Sequence, residues 1–320
     1  MLKIILKRIL QLIPVLLITM SITFVITRVL PGNPAVTILG PQATPEAIEK
    51  MEEEMGLNDP LPIQYINYIK GVLTGDLGTS YRYNQPVATL ILDKLPNTLQ
   101  LALASLIIAL VIGIPVGLLS AVKQYSIFDY VSMFLALIGV SIPSFWLGLM
   151  LVLVFSVNLG WLPTMGMGSM AAGFGDVLIH LILPAFCLST GSMANFARIS
   201  RSSMLEVLDQ DYMKAVRAKG IRESVVVMKH GFKNALPPIV TVLGMRISAL
   251  MTGAIMVESI FSWPGIGRLI VDAINNNDYE LIQGSVLFMA VLYVLVNLAV
   301  DIAYLYINPK VSYVSERRAG

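Results

Sequence analysis

The sequence predicts an all-α integral membrane protein of six membrane-spanning helices, with a large polar insert between the first two. Three observations carry this. Of 320 residues, 56% are hydrophobic and 13% charged, with a mean hydropathy of +0.76, well outside the range of soluble domains. Charge-free runs of 19, 28 and 46 residues begin at Ile9, Leu95 and Tyr130, each about as long as a bilayer-crossing helix or longer. The Lys and Arg residues gather in alternate connecting segments, as cytoplasm-facing loops do. A net charge of +2 without a long basic patch argues against nucleic acid as a partner. The one cysteine, Cys187, sits in an apolar segment and offers neither a disulfide framework nor a cysteine metal site.

Lys3, Lys7 and Arg8 precede the first run, which continues to Thr27 with no small-residue cleavage site after it. Residues 1–30 therefore read as a cytoplasmic N-terminus and an uncleaved first span. Residues 31–96 form the insert, acidic at Glu46, Glu49 and Glu52 to Glu54, and are expected outside. Within it, Thr44-Pro45-Glu46 starts an amphipathic helix to about Met55. Pro62 to Leu73 reads as a second, with Tyr65, Ile66, Ile69 and Val72 on one side, and both are expected on the membrane surface.

The remaining five spans fill residues 97–320. The second span, Leu95 to Val122, is expected to kink at Gly113, Pro115 and Gly117. The third ends near Leu159, because 46 uncharged residues exceed one crossing, and the Gly-rich Trp161-Leu-Pro-Thr-Met-Gly-Met-Gly168 marks an outer loop. Val177 to Ala197, Pro238 to Val257, and Leu281 to Val300 (extended to about Ile307) complete the set. Lys310, Arg317 and Arg318 then lie inside, so both termini are expected in the cytoplasm.

Between the fourth and fifth spans lies a polar island with eight Lys or Arg and four Asp or Glu from Arg198 to Lys233. There Asp211 is expected to cap a short helix that ends with Arg217 and Lys219 and stops at a left-handed Gly220. Ala215 and Ala218 leave one face open to close backbone approach, and Tyr212 and Val216 supply an apolar anchor one turn apart. These features describe a docking helix.

Asp211-Tyr-Met-Lys-Ala-Val-Arg-Ala-Lys-Gly220 with Lys229-His-Gly-Phe-Lys-Asn-Ala-Leu-Pro237 resembles the "EAA" loop of ABC-importer permeases, specifically their peptide/nickel branch. Lys214-Ala215-Val216 stands where the general pattern has Glu-Ala-Ala, and Leu236-Pro237 falls about four residues late. Pro31-Gly-Asn-Pro34, Gly75-Asp-Leu-Gly-Thr-Ser80 with Pro86-Val87, Ser141-Ile-Pro-Ser-Phe-Trp-Leu-Gly148 and Glu258-Ser-Ile-Phe-Ser-Trp-Pro-Gly-Ile-Gly-Arg268 are similar to the same branch. The resemblance implies a type I ABC-importer permease fold in a bacterial or archaeal cytoplasmic (inner) membrane. It implies that residues 198–236 are the cytoplasmic coupling loop, with Asp211, Tyr212, Ala215, Val216, Arg217, Ala218, Lys219 and Gly220 in contact with an ATPase. The implied partners are a second homologous permease, two cytoplasmic ATPases, an extracytoplasmic solute-binding protein and membrane lipid. No cofactor or metal is expected on this chain, ATP and Mg belonging to the ATPases. The implied cargo is di- or oligopeptides, including glutathione, with nickel chelates as the alternative.

Ser141, Pro143, Phe145, Asn195, Arg246 and Glu258 are candidates for the translocation path, since Pro143 frees a carbonyl in mid-span. By the same resemblance Trp263, Pro264, Gly265, Gly267 and Arg268 form an outer gate facing the binding protein, although Trp263 also suits an aromatic belt. Arg246 falls near the middle of the fifth span, where an unpaired charge costs several kcal/mol. It either lines the path or is clamped by Asp301. The chain has no Walker A loop and no His-Glu-x-x-His, and its two histidines, His180 and His230, fall on opposite sides of the expected membrane, so it is not expected to be an enzyme. A non-transporting membrane anchor or receptor subunit is the remaining alternative of another class.

Overall fold

Hydrocarbon offers no partner to a backbone amide or carbonyl, so long charge-free segments close their own hydrogen bonds as helices. The computed structural model of the chain is helical through most of its length. It describes the backbone of residues 2–29, 32–40 and 42–307, and within these every side chain except those of residues 2–9, 11, 12, 29, 301 and 303–307. The helices in order are α1 (Leu2–Val29), α2 (Pro34–Leu39), α3 (Pro45–Glu54), α4 (Leu61–Thr74), α5 (Val87–Val122), α6 (Ile127–Ser141) and α7 (Ser144–Leu151). There follow α8 (Phe174–Leu208), α9 (Asp211–Ala218), α10 (Glu223–Val225), α11 (Lys233–Ile260), α12 (Ile266–Asn275) and α13 (Tyr279–Ile307). Among the described residues four helices are long and apolar enough to cross a membrane, and α6 with the helix from Ser144 to Asn158 makes a fifth if the bent pair is one span. Ile13–Arg28 is a shorter apolar stretch within α1.

The chain forms two compact units, one built from residues up to Thr98 with Pro264–Leu298, the other from Leu99–Trp263 with the helix end that begins at Ala299. In the first unit, local chemistry sets the helix ends. Thr44 caps α3 by accepting the Ala47 amide at 3.3 Å, and Gly75, at φ +81°, stops α4 in the left-handed region that glycine enters freely. A two-residue antiparallel pair, Thr79–Ser80 with Gln85–Pro86, is tied to the start of α13 by Asp278, whose carboxylate accepts from the Ser80 hydroxyl, the Arg82 amide and the Leu281 amide. Val87, Leu90 and Ile91 of α5 pack with Ile266, Leu269 and Ile270 of α12 and with Leu281 of α13 to form this unit's core. The expected insert boundary at residue 96 falls inside α5, which begins at Val87.

In the second unit α8 has the most enclosed apolar stretch, 56% buried against 33–39% in the other three long helices, and it packs against α6, α7 and α11. α5 runs through Gly113 and Gly117 as one helix. Both glycines are notches for α8: a Cβ at Gly113 would stand 2.6 Å from the Met193 carbonyl oxygen and 2.9 Å from the Phe196 Cβ, and one at Gly117 would collide with the Ala197 carbonyl. Small residues let membrane helices approach closely. Gly113→Ala is therefore expected to cost about 1–3 kcal/mol through overpacking, read as a lower midpoint of thermal unfolding in detergent. Gly191→Ala, with nothing within 4 Å of the added carbon, is the matched control.

The third expected span is not one straight crossing. The chain turns by 108° between α6 and the helix from Ser144 to Asn158, because a residue before proline avoids the helical region and Pro143 has no amide to donate. Ile142 is accordingly extended, at φ −72° and ψ 127°, and Pro143 stands at the N-terminus of α7. The Ser144 carbonyl accepts the Cys187 thiol of α8 at 3.3 Å.

Candidate functional site

Two features of the second unit are the candidate sites: a cavity between α6, α8 and α11, and the short helix α9. The cavity, of about 670 Å³, is lined by Met133 of α6, by Asn195, Arg198 and Arg201 of α8, and by Met245 and Arg246 of α11, among others. A smaller one of about 190 Å³ includes Ile142 and Ser144 of the α6–α7 break, Thr190 of α8, and again Arg246. Arg246 thus borders both cavities.

The charges of the larger cavity are not equivalent. Arg201 forks onto Asp129, Nε donating to Oδ1 at 2.6 Å and Nη2 to Oδ2 at 2.7 Å. Asp129 is 1% exposed. Its position is fixed locally: Ser126 caps α6 by accepting the Asp129 amide at 3.2 Å, and Asp129 reaches back to the Tyr125 amide at 3.1 Å, a close variant of the capping box. Arg198 and Arg246 have no ion-pair partner among the described residues. Arg198 and Arg246 therefore give the cavity lining a net positive charge among the described residues.

Of the expected path residues, Asn195 and Arg246 line the larger cavity. The Asn195 amide is turned back onto the Gly191 carbonyl at 2.6 Å. Ser141, Pro143 and Phe145 are exposed and line neither cavity, although their neighbours Ile142 and Ser144 border the smaller one. Glu258 is fully buried and also lines neither. The clamp between Arg246 and Asp301 falls on a side chain outside the described residues.

The outer-gate expectation is corrected at Trp263. Its side chain is 0% exposed, in a core with Leu188, Leu250, Val257 and Phe261, so it offers no surface to another protein. In the other unit, Gly265 and Gly267 are buried and Pro264 and Arg268 partly exposed. The Pro264 carbonyl accepts from Asn97 at 2.9 Å, and Arg268 stands 3.7 Å from Asp272.

α9 keeps both expected ends except for its cap. Asp211 is not the N-cap: Gln210 occupies that place without a side-chain bond, and the Asp211 carboxylate takes Lys214 at 2.9 Å. One residue further in, an acidic group still meets the positive end of the helix dipole. Lys219 is the C-cap, and Gly220 follows at φ +74°, the expected left-handed stop. Tyr212, Ala215, Arg217, Ala218 and Lys219 are exposed, and Val216 is half-buried. Arg217 forks onto Glu223 of α10, with a shortest contact of 2.8 Å. α9 packs against the π-helical turn Val226–Phe232, and the Tyr212 hydroxyl donates to the His230 carbonyl in it at 3.4 Å.

Sequence reasoning missed Met213 and Asp129. Met213 is 0% exposed and is the side chain that seats α9; it lies between the two residues expected to anchor the helix. The capping box Ser126-Ile-Phe-Asp129 was a legible local signal, but nothing local connects Asp129 to Arg201, 72 residues away.

A long helix α8, a broken neighbour, an arginine-lined cavity among them and a seated helix in the polar island define a multi-helix protein with several helices long and apolar enough to cross a membrane. Residues 113–313 match the family of binding-protein-dependent transport system inner membrane components, and residues 1–102 match the N-terminal model of such membrane components. The chain is 48% identical to the dipeptide transport system permease protein DppB of Alkalihalophilus pseudofirmus, over 96% of this chain and 98% of that one. It is 45% identical to the oligopeptide permease protein AppB of Bacillus subtilis (97% and 99% covered) and 43% identical to the glutathione permease protein GsiC of Salmonella typhi (98% and 100%). In fold it is similar to a chain of the inward-facing MetNI methionine ABC transporter, with a TM-score of 0.56 at 20% identity over 69% of this chain and 97% of that one. The chain belongs to the binding-protein-dependent transport system inner membrane components. It is a multi-pass inner-membrane permease subunit of an ABC importer.

Proposed function

We propose that this permease carries di- and oligopeptides, glutathione among them, into the cell and forms half of the path they follow. The observation that carries the substrate class is 43–48% identity over nearly the whole chain to dipeptide, oligopeptide and glutathione permeases. The cavity agrees in chemistry: Arg198 and Arg246 supply positive charge for a peptide carboxylate, while Arg201 is neutralised by Asp129. The break beside Pro143 lets backbone border the smaller cavity, which is tolerated at membrane depth only where it is enclosed by protein or water.

In this reading six spans cross the membrane, α1 being the first and the bent pair the third, with both termini in the cytoplasm and residues 31–96 outside. The complete importer contains a second homologous permease, two cytoplasmic ATPases that hold ATP and Mg, and an extracytoplasmic solute-binding protein. This chain holds no cofactor of its own. α9 is the lever: its exposed Tyr212, Ala215 and Ala218 face docks on an ATPase, and closure of the ATPases reorients the spans around the cavity.

ATP-driven uptake of labelled dialanine into vesicles holding the assembled importer tests the path. Arg246→Gln is expected to lower uptake about tenfold or more, as loss of one charge-assisted hydrogen bond predicts, with all subunits still co-purifying; Arg246→Lys should retain part of it. Unchanged uptake in Arg246→Gln would remove this residue from the path. Disassembly in both Arg246→Gln and Asp301→Asn would assign the arginine to a structural clamp.

A further inference from the structure

The first unit holds a polar cavity of about 440 Å³, within the roughly 300–1,000 Å³ of small-molecule sites. The Arg28 guanidinium at the end of α1 borders it, 5.2 Å from the Phe24 ring centroid and 5.3 Å from that of Tyr279. Its Nε and Nη1 are buried and have no hydrogen-bond partner among the described residues, and the same is true of the Tyr68 hydroxyl and of Gln64 Oε1 in the same lining. Gln64 is only 8% exposed and commits its amide protons to the Leu57 and Asp59 carbonyls at 3.0 and 2.7 Å. Buried polar groups left unmet cost free energy, and here Arg28 and Tyr68 offer donors and Gln64 an acceptor to whatever fills the cavity. Burial first, and then the Glu280 carboxylate, push the Tyr68 phenol above its ordinary value; it stays a donor.

The lining also includes four acidic side chains, Glu54, Asp59, Asp76 and Glu280. Glu280 accepts the Tyr81 hydroxyl at 3.2 Å, and Asp76 accepts the Gly78 amide at 2.9 Å. Among the described residues no three His, Cys, Asp or Glu are arranged to hold a metal ion. A simple anion would share its lining with four acidic side chains, one of which, Glu54, has Lys50 at 3.9 Å. A simple cation would leave the guanidinium and the phenol unmet.

We propose that this cavity binds a small zwitterion, its carboxylate or phosphate on Arg28 and Tyr68 and its ammonium toward Asp76 and Glu280. Free amino-acid-like molecules and the headgroup of an aminophospholipid share that chemistry. The site uses none of the residues around Arg246 and exists whatever cargo crosses the membrane.

The test uses the full chain in phosphatidylglycerol nanodiscs, reading amide hydrogen exchange over residues 61–81 with and without dialanine, and in a second set of discs containing phosphatidylethanolamine without dipeptide. One of the two zwitterions is expected to slow exchange in that segment. If it is dialanine, the N-acetylated and the C-amidated forms should both fail; if it is the lipid, dialanine should add nothing in the second discs. Either way Arg28→Gln and Glu280→Gln are expected to weaken the effect about tenfold, while Arg246→Gln, which removes the path arginine, leaves it intact. Tyr68→Phe deletes only the unpartnered hydroxyl and should weaken it several-fold if Arg28→Gln does not fold. No slowing by either zwitterion, or slowing that survives the Arg28 and Tyr68 changes, overturns the proposal and leaves the cavity to water.

Discussion

Asp129→Ala is expected to destabilise the permease by about 3–5 kcal/mol and to remove most ATP-driven uptake with it. The pair is bidentate, Nε to Oδ1 at 2.6 Å and Nη2 to Oδ2 at 2.7 Å, with the Asp129 side chain 2% and the Arg201 side chain 24% exposed. Removing the carboxylate leaves a guanidinium that only partly reaches water and also opens the Tyr125 and Ser126 turn that starts α6. The loss therefore combines an unpaired charge with a damaged helix start, where an N-cap contributes about 1 kcal/mol. Arg201→Met leaves the more deeply buried carboxylate unpaired and should cost about as much. The double change Asp129→Ala with Arg201→Met should recover a large part, because an apolar replacement of a whole buried pair is often neutral. Thermal unfolding of the four proteins in detergent closes the double-mutant cycle; if the two single changes simply add, the pair is not coupled and this account of α6 and α8 is wrong.

What the sequence made legible follows the range of each determinant. The ends of α3, α4 and α9 are set within a few residues, by Thr44 and Pro45, by Gly75 and by Gly220, and they fall within a residue or two of expectation. Asp211 was placed one position off because Gln210, Asp211 and the dipole give nearly the same local signal at either register. The backbone settles it: Gln210 is still extended, at φ −69° and ψ 145°, and the helix begins at Asp211. The bend at Pro143 was legible as a break but not as a turn of 108°, since 46 uncharged residues contain no charge to mark a surface. Gly113 and Gly117 are legible as kink residues, but their close fit to the backbone of α8 is not, since it lies about eighty residues away in sequence, a distance over which no periodicity carries information. Trp263 shows the same limit. An interfacial belt and a buried core both accept tryptophan, and only packing distinguishes them. The cationic cavity was half legible: Arg246 stood out by cost, but the neutralisation of Arg201 depends on a pairing invisible until α6 and α8 are side by side.

Met213→Asp is expected to reduce uptake to the level of vesicles without ATP while the chain remains in the membrane. Met213 is the one fully buried side chain of α9, and the other residues of that helix are exposed or half-buried. Burying an unpaired carboxylate in its place costs several kcal/mol, more than α9 recovers from its remaining ties, of which the Arg217 fork onto Glu223 is a surface pair worth about 1 kcal/mol or less. The helix therefore leaves its seat on the π-helical turn from which the helical path of α11 begins, and in the lever role proposed for it α9 loses its link to α11. Met213→Leu conserves volume and should cost less than about 1.5 kcal/mol, preserving most uptake. Met213→Ala leaves a cavity worth about 2–5 kcal/mol and belongs between them. ATP hydrolysis by the assembled importer separates two causes of lost uptake. If Met213→Asp hydrolyses ATP at the wild-type rate without moving dialanine, α9 transmits the stroke and has been uncoupled. If the ATPases no longer co-purify, α9 holds them in place, and docking is its first task. Normal uptake in Met213→Asp would mean that the seat of α9 on this chain is not needed for coupling, and the lever would have to be sought elsewhere in residues 198–236.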